Sequence, residues 1–510
     1  MDRKSKKRNI PFPFISISDR AASNIPIYRQ IYESVRRAIL SGAMQGGSRI
    51  PSSRSLSAEL GVSRMTVINA YDQLFAEGYL EGKIGSGTFV AGELPEELLT
   101  TPKVREIKTV ARPRELNLSR LGEQLERDGQ QLLREPLSTR FQPFQNGLTA
   151  VDSFPFDTWG RIAARLSRSG PHAVIRGNDL AGFRPLREAI AAHLRSARAV
   201  RCEPEQVIVT AGAQQGLALV SAVLLEPRDN VWIEDPGYNS ARDLFSLSGA
   251  QLVPVPVDGD GIDLEAAAHS GKKPKLIYVT PSHQYPLGMT MSLGRRLSLI
   301  ETARAARAWV VEDDYDSEFR YSGRPIASLQ GLDIEGRVIY VGTFSKTIFP
   351  SLKLGCLVVP PDLVDVFTAA RTVTGAQSPM IDQAVLAEFI SEGHFARHIR
   401  RMRTLYQERQ KFLVEQVHRH LAGFLEMTPG DAGMHLVGWL PEGFNDREVA
   451  MRADELDIRL SAISDHSIMS YPRMGLIFGY AAFNEKQTRR GVAKIAVLLT
   501  ELSKSKCFKP

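Results

Sequence analysis

Cysteine is scarce: the chain has three in 510 residues, Cys202, Cys356 and Cys507, with neither metal-ligand spacing nor the density of a disulfide framework. That excludes a cystine-stapled secreted domain, leaves no metal site to expect, and points to the reducing cytoplasm. Long apolar runs are missing too. No stretch reaches the roughly 18 uninterrupted apolar residues of a membrane-spanning helix, so no membrane partner is expected. The N-terminus is basic over Met1 to Arg8, but prolines and polar residues interrupt Asn9 to Ser18 and no signal-peptide core forms. Internal repeats and low-complexity tracts are absent as well. What remains is an ordinary soluble composition, 43% hydrophobic and 24% charged, in a chain too long for a single core.

Charge is unevenly placed. Residues 1–92 carry thirteen Lys and Arg against seven Asp and Glu, a surplus of six within a net charge of +7. Five of those cations precede Asn9, so the surplus marks either a basic tail or a small basic module with an anionic partner. The helical pattern favours the module. Pro26 to Ser41 sets Ile27, Ile31, Val35, Ala38 and Ile39 at helical spacing and ends at Gly42. Arg49-Ile50-Pro51-Ser52-Ser53-Arg54 leads into a short helix, Ser55 to Leu60, stopped by Gly61, and Ser63 caps the next, Arg64 to Glu77. Two short helices about a glycine turn make a helix-turn-helix. In that arrangement the second helix enters the major groove by its N-terminus, which brings Arg64, Thr66 and Asn69 towards bases or phosphates. Tyr79 to Val90, two short extended runs around a glycine-rich tip, reads as a hairpin wing with Lys83 near the phosphate backbone. Double-stranded operator DNA is therefore the expected partner of a domain over 24–92.

From 93 to 141 no hydrophobic period persists, Pro95, Pro102, Pro113 and Pro136 recur, and charges of both signs mix. That is a linker, with one short amphipathic helix around Leu118 to Leu133. Beyond it, 142–510, strand-like runs alternate with amphipathic helices: Gln206 to Thr210, Asn230 to Ile233, Leu252 to Val257, Leu276 to Thr280, Trp309 to Glu312, Val338 to Val341 and Gly355 to Val359. Such alternation reads as a large α/β domain with a mainly parallel sheet.

Its chemistry gathers at strand ends. Gly342-Thr343-Phe344-Ser345-Lys346-Thr347 puts a lysine among small hydroxyl residues where a strand gives way to a loop. Thr210 to Gln215 is strand, small residues, then helix, a ready anion site. Glu312-Asp313-Asp314-Tyr315-Asp316 places an acidic cluster on the end of a buried strand, which costs desolvation unless a cation or proton donor meets it. Around a pyridine ring carrying a phosphate, an aldehyde and a hydroxyl, each demand has a candidate. Lys346 forms the Schiff base, Asp313 holds the ring nitrogen protonated and Tyr315 meets the ring hydroxyl. Gly212, Ala213, Gln214, Ser345 and Thr343 hold the phosphate, and Tyr238 stacks on the ring. The implied cofactor is pyridoxal 5'-phosphate.

Two resemblances follow from these residues. Arg49 to Val90, with Arg-Ile-Pro-Ser-Ser-Arg-Ser-Leu, Val-Ser-Arg-Met-Thr-Val and Gly-Ser-Gly-Thr-Phe-Val, looks like the winged helix-turn-helix of GntR-type regulators. By that resemblance Arg54, Arg64 and Thr66 match positions that touch operator DNA. The order of phosphate turn, stacking aromatic, aspartate and lysine looks like fold type I pyridoxal-phosphate aminotransferases. Joined, they resemble the MocR/GabR family over almost all of the chain. The resemblance sets Tyr285-Pro286-Leu287-Gly288 at the Asn-Pro-Thr-Gly turn of aminotransferases, so Gln284 or Tyr285 lies near the ring hydroxyl. Lys353 stands where the family has a phosphate-gripping arginine, and Arg176 to Gly182 lacks the tyrosine that reaches the phosphate from a partner subunit. Arg242 and Arg473 are candidates for an effector carboxylate or, equally, for surface pairs.

The function implied is a homodimeric transcription regulator in which an aminotransferase-like domain senses pyridoxal phosphate or a small amine or amino acid. Retention of Lys346, Asp313 and Tyr315 leaves two alternatives open, a working aminotransferase with an appended DNA-binding module and a scaffold that only dimerises the winged helices.

Overall fold

The computed structural model describes residues 25–83, 86–95, 117–119, 121–126, 142–169, 179–323, 326–375 and 378–506. The chain divides into two compact units, 1–117 and 118–510. Of the helix expected around Leu118 to Leu133, 121–126 is helical, 118–119 are not, and 120 and 127–133 lie outside the described residues, as do Arg176 to Asn178.

In the first unit α1 (Ile27–Leu40), α2 (Ser53–Leu60) and α3 (Arg64–Ala76) precede a hairpin of β1 (Leu80–Lys83) and β2 (Gly87–Val90). Local chemistry sets these boundaries. The Ser52 side chain accepts from Ser55 N, Gly61 closes α2 in the left-handed region, and the Ser63 side chain accepts from Thr66 N at 3.1 Å to start α3. Ile31, Val35, Leu56, Val67, Ala70, Leu74 and Val90 are completely buried together, each large aliphatic contributing roughly 1.5–3 kcal/mol. The wing is antiparallel, with Leu80 opposite Val90, and Tyr79 ties it to α1 by accepting from Arg36 at 2.8 Å.

The second unit is built on an eight-stranded sheet in the order β3-β10-β9-β8-β7-β4-β5-β6. Its strands are β3 (Val207–Thr210), β4 (Asn230–Asp235), β5 (Gln251–Asp258), β6 (Gly261–Ile262), β7 (Leu276–Val279), β8 (Trp309–Asp314), β9 (Val338–Thr343) and β10 (Gly355–Val358). Pairing from β5 through β4, β7 and β8 to β9 is parallel, while β10 runs against both its neighbours and β6 against β5. The parallel strands are apolar almost throughout because helices cover both faces. Leu217, Phe245 and Phe367 pack on one face, and Leu299 and Ala303 on the other. This is the mixed α/β, mostly parallel architecture that the alternation predicts. A second sheet was not read from the sequence: β11 (His435–Trp439), β12 (Ser461–Ala462) and β13 (Gly475–Gly479), antiparallel in the order β11-β13-β12. A strap at 142–150 lies against it, Gly479 N donating to Phe144 O at 2.9 Å. Among the described residues no helix is long and apolar enough to cross a membrane.

Candidate functional site

Parallel strands deliver their C-terminal ends to one edge of the sheet, where α/β folds keep their ligands. Thr210 ends β3, Asp235 ends β4, Asp314 ends β8 and Thr343 ends β9. Lys346 follows β9 and its Nζ donates to Gly147 O at 3.0 Å. A Cβ at Gly147 would stand 2.3 Å from that Nζ, and the residue has φ +78°, so the lysine's resting place requires glycine. Burial holds the Lys346 amine below the usual lysine range; Asp316 and Asp313 oppose that effect and Lys353 adds to it.

The acidic run is strand as far as Asp314, two residues further than expected, and alternation sends successive carboxylates to opposite faces. Each finds its own partner. Glu312 accepts from Leu329 N and Gln330 N at 2.8 Å each, Asp314 pairs with Arg198 at 2.8 Å and accepts from Tyr340 Oη at 2.8 Å, and Asp316 meets His283 Nδ1 at 3.0 Å. Asp313 meets a hydroxyl instead of a cation: its Oδ2 accepts from Tyr278 Oη at 2.7 Å, and its Oδ1, like Asp314 Oδ1 and Glu234 Oε1, is buried without a partner. Burial pushes this carboxyl up to about 7, against the pull of the Tyr278 hydroxyl. An orphaned buried carboxylate oxygen within electrostatic reach of a buried amine fits a protonated ring nitrogen above one and an aldehyde carbon at the other. Glu234, across β7, is a second buried carboxyl raised to about 7 by desolvation and bonded by both Thr280 donors.

Gly212 is the N-cap of the helix Ala213–Leu224, whose first-turn N–H groups lack helical acceptors and form an anion seat with Ala213 and Gln214. The floor beneath is close: a Cβ at Gly355 would lie 2.9 Å from Gly212 Cα. Gln214 fixes the turn by donating to Ser240 O at 3.0 Å. Ser345 N donates to Thr343 Oγ1 at 3.3 Å, and Lys353 is exposed. These residues suit a phosphate.

An aromatic wall stands nearby, centred on Tyr285. Its ring meets Tyr238 at 5.6 Å, Tyr315 at 6.1 Å, His435 at 5.5 Å and His466 at 5.2 Å, all near perpendicular, and its hydroxyl accepts from Asn146 Nδ2 at 3.1 Å. Tyr315 Oη donates to His283 O at 2.9 Å. The Gln284 amide is engaged with backbone, donating to Pro236 O at 2.9 Å and accepting from Leu287 N at 3.1 Å, so it braces the turn. Sequence reasoning gave no role to Tyr278, Glu234, Asn146, Gly147, His283, Asp316, His435 or His466. Of these, Asp316 stood in the acidic segment already singled out.

The two effector candidates separate. Arg473 bonds Glu426 and lies over the Trp439 ring at 4.8 Å, in an exposed pair. Arg242 is paired with Asp243 at 3.0 Å, and its charge is felt at His466, on the aromatic wall. In the first unit Arg54, Arg64 and Asn69 are exposed on the helix-turn-helix, and Thr66 is half-buried. Arg64 Nε donates to Ser53 Oγ at 3.3 Å, bracing α3 on α2, and the Thr66 hydroxyl is 2.8 Å from the capping Ser63 Oγ. Lys83 ends β1 beside the wing tip.

Comparison with known proteins agrees with both units. The family described as bacterial regulatory proteins, gntR family, matches residues 27–90, and the family aminotransferase class I and II matches residues 162–461. The chain is 42% identical over 489 residues to the probable rhizopine catabolism regulatory protein MocR of Rhizobium meliloti, covering 96% of this chain and 97% of that one. It is 33% identical over 482 residues to the pyridoxine biosynthesis transcriptional regulator PdxR of Corynebacterium glutamicum, covering 94% and 97%. The structure of LysN, an α-aminoadipate aminotransferase from Thermus thermophilus complexed with N-(5'-phosphopyridoxyl)-L-leucine, superposes with a TM-score of 0.67 at 28% identity, covering 73% of this chain and 95% of LysN. The chain thus belongs to the MocR/GabR-type regulators, in which a gntR-family helix-turn-helix precedes a class I and II aminotransferase domain.

Proposed function

We propose that the chain is a pyridoxal-phosphate-dependent transcription regulator that senses the cofactor, or an amine or amino acid that reacts with it, and alters its hold on operator DNA in response. The observation that carries this reading is the Lys346 amine, buried and made less basic, in reach of Asp313 with its orphaned Oδ1. A buried amine of lowered basicity is a nucleophile at neutral pH. Bound there, the cofactor supplies an aldehyde for Lys346 and a ring that accepts electrons. Asp313 would keep the proton on the ring nitrogen, Tyr315, whose hydroxyl donates to His283 O, would face the ring oxygen, and Tyr285 and Tyr238 would wall the ring. Gly212, Ala213, Gln214, Thr343, Ser345 and Lys353 receive the phosphate. Arg242, paired with Asp243 and felt at His466, and Arg473, paired with Glu426 over Trp439, remain the candidates for an effector carboxylate.

On the DNA side Arg54, Arg64, Thr66, Asn69 and Lys83 form the contact surface, in a cytoplasmic homodimer that reads paired half-sites. The domains are 24–92 and 142–510, joined by the linker 93–141. Sensing requires that the ligand favour one arrangement of the regulator over another. The test is operator binding and footprinting with and without pyridoxal phosphate and a panel of amines. Unchanged affinity, footprint and transcription under every condition would sink the sensing role. The likeness to LysN, together with the intact lysine, aspartate and tyrosine, supports a second reading as a working aminotransferase. Turnover with an amino donor and a keto acid decides between them.

A further inference from the structure

One buried charge near the lysine has no role in this scheme. Asp316 lies two residues beyond the end of β8 and is 1% exposed. Its Oδ2 is 3.0 Å from Nδ1 of His283, itself 3% exposed. Since the carboxylate accepts, the histidine's proton sits on Nδ1, and Tyr315 Oη, 3.0 Å from the same nitrogen, directs its own hydrogen to His283 O. The tyrosine oxygen is thereby held with a lone pair towards an N–H. The fold makes room for this histidine: Gly433 has φ +95°, and a Cβ there would be 2.0 Å from His283 Cε1. His435 packs on the other side at 4.9 Å between ring centroids, its Nε2 bonded to Pro286 O at 3.0 Å. Burial pushes His435 down to about 3, so it adds no charge.

Resting on the cofactor reading, we propose that Asp316 and His283 are positioning residues that set the protonation of the Lys346 nitrogen, free or joined to the cofactor. His283 fixes Tyr315 Oη, and Asp316 supplies a buried negative charge that favours a protonated nitrogen. The other groups facing this charge are accounted for. Burial, Asp314 and Glu318 raise the Asp316 carboxyl and His283 lowers it; Tyr315, Tyr321, Tyr480 and Asp313 feel its charge; at Lys346, Asp313 acts with it and Lys353 against it. Asp316 and Asp313 both favour protonated Lys346.

The test is the pH dependence of two signals in the full-length chain, comparing wild type with Asp316→Asn, His283→Gln and Asp316→Glu. One signal is the visible absorbance of the lysine-bound cofactor. The other, in cofactor-free protein, is the rate of reductive methylation of Lys346 by formaldehyde and cyanoborohydride, read by peptide mass spectrometry. Asp316→Asn is expected to lower both midpoints by about one pH unit, a tenfold change in proton concentration, with Asp316→Glu restoring most of it. His283→Gln is expected to shift the absorbance midpoint while circular dichroism stays that of wild type. Unchanged midpoints in both Asp316→Asn and His283→Gln would overturn the proposal. So would a wild-type midpoint that moves on treatment with a chelator, because His283, Asp316 and His435 offer ligand atoms within 4.8 Å of one another and that shift would mark a metal site. Should wild type bind no cofactor, the cofactor reading fails, and the methylation profile alone decides this one.

Discussion

The two units bury different things. Among the described residues of the first, the buried side chains are apolar or tyrosine, and no Arg is buried in the core. The second buries Arg198, Arg296 and Arg371 together with Glu234, Glu312, Asp313, Asp314 and Asp316. A module that meets phosphates in water gains by leaving its cations solvated until DNA arrives, because long-range attraction and counterion release then act on them in full. A module that must hold a reactive amine prepares its charges in advance, at a desolvation cost met by individually assigned partners.

That contrast can be tested at its strongest point first. Arg198→Met leaves Asp314 buried beside Tyr340 without its cation, and is expected to destabilise the second unit by about 3–5 kcal/mol in urea unfolding. A loss under about 1 kcal/mol would show that these pairs are dispensable. The next largest effect is one of pH. Asp313 and Glu234 are both raised to about 7 in the fold. A carboxyl with a raised folded pKa holds its proton better folded than unfolded, so stability falls as pH rises from about 4 to about 7. Asp313→Asn with Glu234→Gln is expected to remove roughly 2–4 kcal/mol of that fall in cofactor-free protein, measured by melting across the window. An unaltered pH profile would contradict the burial argument.

Gly355→Ala sharpens the comparison within the second unit. Its new Cβ would lie 2.6 Å from Gly342 O and 2.9 Å from Gly212 Cα, forcing apart the strand and the phosphate turn. A loss of about 1–3 kcal/mol is expected, with weaker cofactor absorbance at equal concentration, while operator binding by the isolated surface of α3 is untouched in its salt dependence. The smallest effect belongs to the first unit. Ser63→Ala removes the α3 cap for about 1 kcal/mol and weakens operator binding, with no change in the cofactor spectrum. A spectral change there would break the division between the units.

How much was legible depended on how local the cause was. The parallel strands could be read because burial on both faces makes them unbroken apolar runs, as in Leu276-Ile277-Tyr278-Val279. The caps at Ser63 and Gly61 carry their reason within four residues. β11 to β13 escaped notice because β12 is two residues long, β11 contains histidine and glycine and β13 is bounded by glycines, so pairing and packing, more than composition, make them strands. At the site, Lys346, Asp313 and Tyr315 announced themselves by chemistry in short segments. Tyr278 did not, since a hydroxyl inside an apolar strand looks like one more core aromatic. Gly147 left no trace either, because its reason for being glycine lies 199 residues away.

The Gly147 hydrogen bond has a mechanical side. The carbonyl that holds the Lys346 amine belongs to the strap whose Phe144 is stitched to Gly479 of β13 and whose Asn146 holds Tyr285. Whatever draws the Lys346 amine away from Gly147 O therefore removes one of the ties that hold this strap to the sheets of the second unit.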